Sequence, residues 1–544
     1  MPPDGTVTGQ GAPGLFSRAH RARTLAVSAT FLLVAFAALA LGTAMPVAVQ
    51  DLDALALYAI AFGGYLSASL VGTVLGGNWA DRRGPAAPLF AGSLCFVVGS
   101  LLAGAAPTVW PFLAGRFAQG LGGGAMTVAL YVVVGQGYPA GLRPRMFSLI
   151  TACWILPSMI GPAIAGTVTE RLSWRWVFYG IALLTLGATA LLRRPLAGLG
   201  AGDAAAGPSR DGSGDGPSRV GAGDAPDEAP RSGTGDAPDG LSRVGADGGA
   251  DGLSRGGTGD APDGLSRVGA DGGADEPSQV GADGEADKAS RVGTVPAVGV
   301  AVGAALLQYA GSRPSPHTAV LAALGLAAVA AGVRGLLPPG TLRARRGLPS
   351  LVLLRGVAGG AYFALESYVP LLLVKGRTWT PTAAGYSLTG ASLAWAAAAW
   401  LQGRPTLRMP RERVIALGAL LHAAGAALAL AGVLRTAPAV TAPAGFAIAA
   451  FGMGLLLPGI GVLTLEQSPP GRQGANTAAL QMADSLCSVL LIGLCGALFN
   501  VLHRAAGPDT AAFAAAFAAA LAATLLACPT ASRLTTPVRE NELA

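Results

Sequence analysis

Residues Leu25 to Met45 read LAVSATFLLVAFAALALGTAM, a run without a single charge, introduced by Arg18, Arg21 and Arg23. A hydrocarbon core about 30 Å thick takes about 20 helical residues to cross. The run is too long for the apolar stretch of a cleavable signal peptide and reads as a first spanning helix. Working outward, comparable runs lie near 56–77, 85–106, 109–134, 146–168 and 175–193. A second set follows near 349–374, 382–401, 413–434, 440–463, 475–500 and 509–529, and two shorter runs, 295–311 and 318–335, sit between the sets. The expectation is an all-α polytopic membrane protein: two six-helix bundles plus two extra central helices, about 14 transmembrane helices. Twelve is the alternative if neither central run spans.

Charge tests that topology. With the N-terminus inside, the inner loops hold Arg18, Arg21, Arg23, Arg82, Arg83, Arg143, Arg145, Arg193 and Arg194, then Arg343, Arg345, Arg346, Arg404, Arg408, Arg411 and Arg413. The outer loops keep a scatter, including Arg313, Lys375, Arg377, Arg435 and Arg504. Excess Lys and Arg on the cytoplasmic side is what sets the orientation of spanning chains. Thirteen spans would put the basic 404–413 loop outside. A multi-pass protein of the plasma membrane with both termini cytoplasmic is the resulting expectation.

The stretch between 196 and 294 breaks the pattern. From 200 to 294 there are 18 acidic and 8 basic residues, a net of −10 in a chain whose total is +7. Ser-Arg recurs every twelve residues at Ser242, Ser254 and Ser266, becomes Ser-Gln at Ser278, and returns at Ser290. Calcium-binding β-solenoid repeats need apolar residues at fixed positions, which this Gly/Ala/Asp unit has too sparsely. Such composition cannot offset the entropy of ordering and reads as a disordered cytoplasmic linker. The expected organisation is a tail over 1–24, a bundle over 25–195, the linker over 196–294, the extra helices over 295–335, a second bundle over 348–530 and a tail over 531–544.

Composition narrows the function. The chain is 52% hydrophobic and 12% charged, about half the charge of a soluble globular protein. No aromatic residues interleave with a basic patch, which speaks against nucleic acid. Cys95, Cys153, Cys487, Cys495 and Cys528 all fall in apolar stretches without metal-ligand spacing, so no metal or cofactor is expected. No nucleophile–base cluster suggests an enzyme.

Several residues carry more information. The loop after the second run reads Gly77-Asn78-Trp79-Ala80-Asp81-Arg82-Arg83-Gly84. An anion just past a helix C-terminus is poorly placed unless it pairs, with Arg82 or Arg83 as available partners. Gly77 suits close helix approach and Gly84 a tight turn. In the fourth run, Arg116 lies about 9 Å into the span, with Gln119 and Gly120 on its face. An arginine there faces a cavity or a partner, or caps carbonyls. The fifth run carries Pro157, Gly161, Pro162 and Gly166, a kinked, small-residue helix suited to pivoting on a neighbour.

In the second half, Glu366 is a carboxylate inside a span, and such residues exchange protons, bind cations or pair with another helix. Arg355, about three turns earlier, shares its face at about 16 Å, too far to pair with it. Thr477, Gln481, Asp484 and Ser488 form one polar face, with Asp484 a second proton or substrate candidate. Tyr362, Tyr58, Tyr65, Tyr131 and Trp395 are candidate cavity aromatics, though core packing is the commoner use of such side chains. Asp51 reads as rim solvation, and His422 as a packed helix residue.

Gly77, Asp81, Arg82 and Gly84 resemble the signature loop of the major facilitator superfamily, with Pro85 and Ala86 replacing its usual basic pair. The resemblance implies a loop that latches two halves in one conformation, and a coupling role for Arg116. Gly161, Pro162 and Gly166 resemble the antiporter motif of that superfamily's 14-helix drug–proton exporters, as does Ser173-Trp174-Arg175-Trp176-Val177-Phe178 the start of their sixth helix. The function implied is proton-coupled export of lipophilic, cationic small molecules by alternating access, with Arg116, Glu366 and Asp484 as coupling residues. Gln119, Arg355, Tyr362, Thr477 and Gln481 would line the cavity. Partners would be a small-molecule substrate, protons and the bilayer, with the chain monomeric. An importer or uniporter, or a membrane sensor or assembly protein using the acidic linker as an arm, are the alternatives.

Overall fold

A computed structural model describes residues 14–17, 20–139, 141–196, 279–313, 315–402, 404, 409–469, 473–503 and 508–534. Most of the expected linker lies outside the described residues, as do Arg18, Arg408 and Arg504. Fourteen α-helices follow in order: α1 (Arg21–Asp51), α2 (Tyr58–Arg83), α3 (Ala86–Ala105), α4 (Val109–Gly137), α5 (Arg143–Arg171), α6 (Trp174–Leu196), α7 (Gln279–Ser312), α8 (Pro316–Leu336), α9 (Leu348–Leu371), α10 (Pro381–Gln402), α11 (Arg411–Ala431), α12 (Thr441–Glu466), α13 (Gln473–Leu502) and α14 (Thr510–Ala527). Both central runs are helices of spanning length and apolarity. α7 begins at Gln279, well before the apolar run, so the expected linker over 196–294 ends in a helix.

The two halves repeat one packing scheme. In the first, α1 packs on α5 and α6, α4 on α2 and α3, and α3 on α6. In the second, α9 packs on α13 and α14, α12 on α10 and α11, and α11 on α14. The inter-bundle pairs α2–α13 and α5–α10 obey the same correspondence. Lipid supplies no hydrophobic drive between helices, so close backbone approach at small residues does that work. A methyl on Gly115 of α4 would come within 2.6 Å of the Gly99 carbonyl of α3, and one on Gly418 of α11 within 2.7 Å of the Gly452 carbonyl of α12.

The signature segment corrects two expectations. Asp81 is not past the end of α2 but in its last turn, which Gly84 closes at φ +76°. The close approach to α4 falls on Gly76, where a methyl would meet the Ala125 Cα at 2.7 Å. At Gly77 the nearest atom would be 3.7 Å away, ordinary contact.

One end of the bundles collects Arg21, Arg23, Arg82, Arg83, Arg343, Arg345, Arg411 and Arg413 at helix ends and loops and is called the basic end; the other is the far end. Both bundles are fastened at the far end by an ion pair. In the first, Asp51 accepts hydrogen bonds from Arg175 Nη1 and Trp174 Nε1, both at 2.9 Å, while Arg175 Nη2 donates to the Ala106 carbonyl. Asp51 is thus a structural acceptor that stays exposed at the rim. In the second, Asp509 pairs with Lys375 at 2.7 Å and with His503 at 2.6 Å.

Candidate functional site

The bundles meet toward the far end. Tyr58 of α2 donates its hydroxyl proton to the Ser367 carbonyl of α9. Asn500 of α13 donates to the Ala56 carbonyl just before α2 at 2.8 Å. Glu170 at the end of α5 accepts the Thr382 amide in the first turn of α10 at 3.3 Å, capping a neighbouring helix across the seam. The proline-rich face of α5 lies against α10: a methyl on Gly166 would sit 2.7 Å from the Pro381 carbonyl. Pro162 cannot donate, and its own carbonyl accepts from Thr43 of α1 at 3.3 Å. Pro157, Gly161, Pro162 and Gly166 therefore lie on a helix that forms part of the inter-bundle contact.

Arg116 is 2% exposed on α4. Its Nε donates to the Ala61 carbonyl of α2 at 3.0 Å, its Nη1 to Gln119 Oε1 at 2.8 Å, and its guanidinium lies 4.9 Å from the Tyr65 ring centroid. Gln119 passes a hydrogen bond to Ser100 Oγ at 2.7 Å, and Ser100 donates to the Phe96 carbonyl. Among the described residues no carboxylate pairs with Arg116.

Glu366 is its counterpart. It is 7% exposed on α9 and has no hydrogen-bond or ion-pair partner among the described residues. It adjoins Ser367, whose carbonyl holds Tyr58, and lies close enough to the hydroxyls of Tyr58 and Tyr362 to act on them electrostatically. Ala61 follows Tyr58 by three residues, a rise of about 4.5 Å along α2. The arginine without a carboxylate and the carboxyl without a cation therefore flank the first turns of one helix. Their partnership with α2 was invisible in the sequence, because the residues come from α2, α4 and α9.

Arg355 and Asp484 are brought together instead. Arg355 Nη2 reaches Asp484 Oδ2 at 3.1 Å and Gln481 Oε1 at 3.2 Å, joining α9 to α13. Arg355 Nε and Asp484 Oδ1 are buried without partners, so the pair is incompletely satisfied. Thr477 is exposed on α13. Tyr362 packs in an aromatic cluster, 5.0 Å from Trp395 and 5.4 Å from Phe446 between ring centroids. Asp81 is exposed and has no partner among the described residues. His422 is fully buried, with Nδ1 3.0 Å from the Ala449 carbonyl, a packed helix residue as expected. At the far end, burial alone would raise the Asp509 carboxyl, but Lys375 and His503 hold it below its usual value. Sequence reasoning passed over Gln308, Asn500 and Glu170; for the two amides the signal was present, since lone amides in apolar helices hydrogen-bond across helices.

Comparison with known proteins agrees with this architecture. Residues 27–219 match the family model described as Major Facilitator Superfamily. An Acurin A biosynthesis cluster MFS-type transporter of Aspergillus aculeatus is 34% identical over 139 residues, 26% of this chain and 25% of that protein. The multidrug transporter protein MdtP of Bacillus subtilis is 32% identical over 160 residues, 29% of this chain and 30% of that protein. The chain thus spans a quarter to a third of the length of these curated relatives. Among solved structures, a D-xylose–proton symporter shares the fold with a TM-score of 0.59 at 12% identity, covering 95% of this chain and 98% of its own. A POT family transporter bound to a thioalcohol-conjugated peptide gives 0.59 at 12% identity, over 96% and 99%. The first bundle of this multi-pass membrane protein is thus similar to the major facilitator superfamily, and the fold of these solved transporters extends over nearly the whole chain.

Proposed function

We propose that the chain is a secondary active transporter of the plasma membrane that exports lipophilic, cationic small molecules in exchange for protons. The observation that carries this reading is the pair of buried, opposite, mutually unneutralised groups, Arg116 and Glu366, set beside the same turns of a helix at the bundle seam. A carboxyl in that position has no fixed partner to hold its charge, so its proton is exchangeable. Protonation alters the charge opposing Arg116 across α2, and the seam carries the Tyr58–Ser367 bond that closes the far end. With the basic end inside, the far-end-closed arrangement is the inward-facing state, and rocking of the bundles exposes the site to the other side. Export rather than uptake is favoured by the Pro157–Gly166 helix at the seam and by relatives named as a multidrug transporter protein and a multidrug resistance protein.

The test is accumulation of a fluorescent lipophilic cation in transporter-deficient bacteria, with and without a protonophore. Wild type should lower accumulation, and the protonophore should reverse it. Glu366→Gln should abolish the protonophore-sensitive part while leaving membrane insertion and thermal stability unchanged, because no hydrogen bond or ion pair is lost. Unaltered efflux in that variant would rule out Glu366 as the coupling group.

A further inference from the structure

The two central helices form no part of either six-helix repeat, yet they lie on the moving seam. α7 runs along the α2–α13 contact from one end to the other. At the basic end, Asn78 of α2 donates to Thr294 Oγ1 of α7 at 2.9 Å. In the middle, Leu70 of α2, Val300 of α7, Val329 and Val333 of α8, and Leu486 of α13 make one apolar cluster. Toward the far end, Gln308 of α7 is 2% exposed, and its Nε2 donates to the Val489 carbonyl of α13 at 3.0 Å.

The Gln308 carboxamide fills a notch made by two glycines, one from each bundle. A methyl on Gly63 of α2 would overlap it, and one on Gly493 of α13 would lie 2.8 Å from its Cγ. A turn further on, Asn500 Nδ2 donates both to the Ala56 carbonyl and, at 3.2 Å, to the Gly311 carbonyl of α7. One amide thus joins the first bundle, the second bundle and α7.

We infer that the α7–α8 hairpin is a strap across the seam, in which Gln308 and Asn500 position the far-end gate and favour its closed state. This rests on the alternating-access reading above. The strap has one foot on each bundle: Thr294 on α2 at the basic end, Gln308 and Gly311 on α13 at the far end. When the bundles part at the far end, Asn500 gives up the Ala56 carbonyl and the Gln308 side chain leaves the Gly63 notch, while both keep their bonds within the α7–α13 pair. A groove of about 450 Å³, open on one side and lined by Leu307, Gln308, Gly311, Ala322, Gly493 and Leu494, borders this contact. Gln308 Oε1 is buried without a donor in the closed state, so the closed notch is held with an unsatisfied acceptor rather than locked.

The test is double electron–electron resonance in lipid nanodiscs, without substrate. Labels enter as noncanonical amino acids at exposed Thr108, in the α3–α4 loop, and Thr436, in the α11–α12 loop, leaving the five native cysteines intact. Asn500→Ala should raise the long-distance population about fivefold, the ratio expected for one lost hydrogen bond, and Gln308→Ala should raise it in the same direction by emptying the Gly63 notch. Gly63→Ala should act in the same direction by expelling the carboxamide, and should add nothing in the Gln308→Ala background. Distances unchanged in Asn500→Ala and Gln308→Ala, or full additivity of Gly63→Ala with Gln308→Ala, would overturn the strap. Loss of export without a change in distances overturns the strap and leaves the transport reading standing. Shifted distances in a chain that exports nothing support the strap and count against export.

Discussion

Each half of the molecule carries an arginine inside a spanning helix, and the two are held in opposite ways. Arg116 in the first bundle is held by a carbonyl, an amide and a tyrosine ring, with no carboxylate among the described residues. Arg355 in the second bundle is paired with Asp484 on an adjacent helix. A guanidinium held only by neutral groups keeps its charge available to something that comes and goes, whereas one held by a carboxylate is spent on joining two helices. The difference sets Arg116 and Glu366, which have no ion-pair partner among the described residues, apart from Arg355 and Asp484, which neutralise one another. Asp484, expected as a coupling residue, is the carboxylate that pairs with Arg355.

The largest expected effect is on the first arginine. Arg116→Ala should cut protonophore-sensitive efflux on the order of a hundredfold with the chain still inserted, as for a residue needed in the cycle rather than for assembly. Efflux within a few-fold of wild type would erase the distinction between the two arginines. Next comes the second arginine, read in stability. Asp484→Leu leaves Arg355 buried and unpaired and should cost about 2 kcal/mol, less than a fully buried pair because both side chains keep some solvent contact. The double variant Arg355→Met with Asp484→Leu should recover most of that loss in a thermal melt. If the double variant melts stably but no longer couples efflux to protons, the pair belongs with Arg116 and Glu366.

The smallest effect separates the far-end staples from the site. Asp509 is held below the usual carboxylate value of 3.8, so its contribution is complete at neutral pH and is lost as pH falls through its depressed value. Wild type should therefore melt earlier on acidification below about pH 4. Asp509→Asn should flatten that dependence, moving the neutral-pH midpoint by only about 1–2 °C because the cluster sits near the surface. A pH dependence identical in wild type and Asp509→Asn would show that the staple contributes nothing to the acid sensitivity.

The glycine spacing illustrates how far local reading carries. Gly77 is a signature position, yet the tight contact is made one residue earlier at Gly76, since the rotation of α2 about its own axis depends on α4. Likewise Asp81 belongs to the last turn of the helix, because Gly84 is the first residue that ends it. Arg116 and Gln119 were legible as one face from their spacing of three, but Ala61, Tyr65 and Ser100, which complete their surroundings, lie on other helices.

The sequence by itself determined the order and approximate extent of the apolar runs and left twelve or fourteen helices open, because apolar length and the distribution of arginine are properties of contiguous residues. It also singled out Arg116, Glu366 and Asp484, since ionisable groups are conspicuous in an apolar run. Only the tertiary structure decided which charge meets which. Pairing depends on helices that are hundreds of residues apart in the chain, on the repeat relation between the bundles, and on a hairpin that lies across their seam. None of these leaves a periodic trace along the chain, because they are fixed by packing between helices rather than by the residues within one.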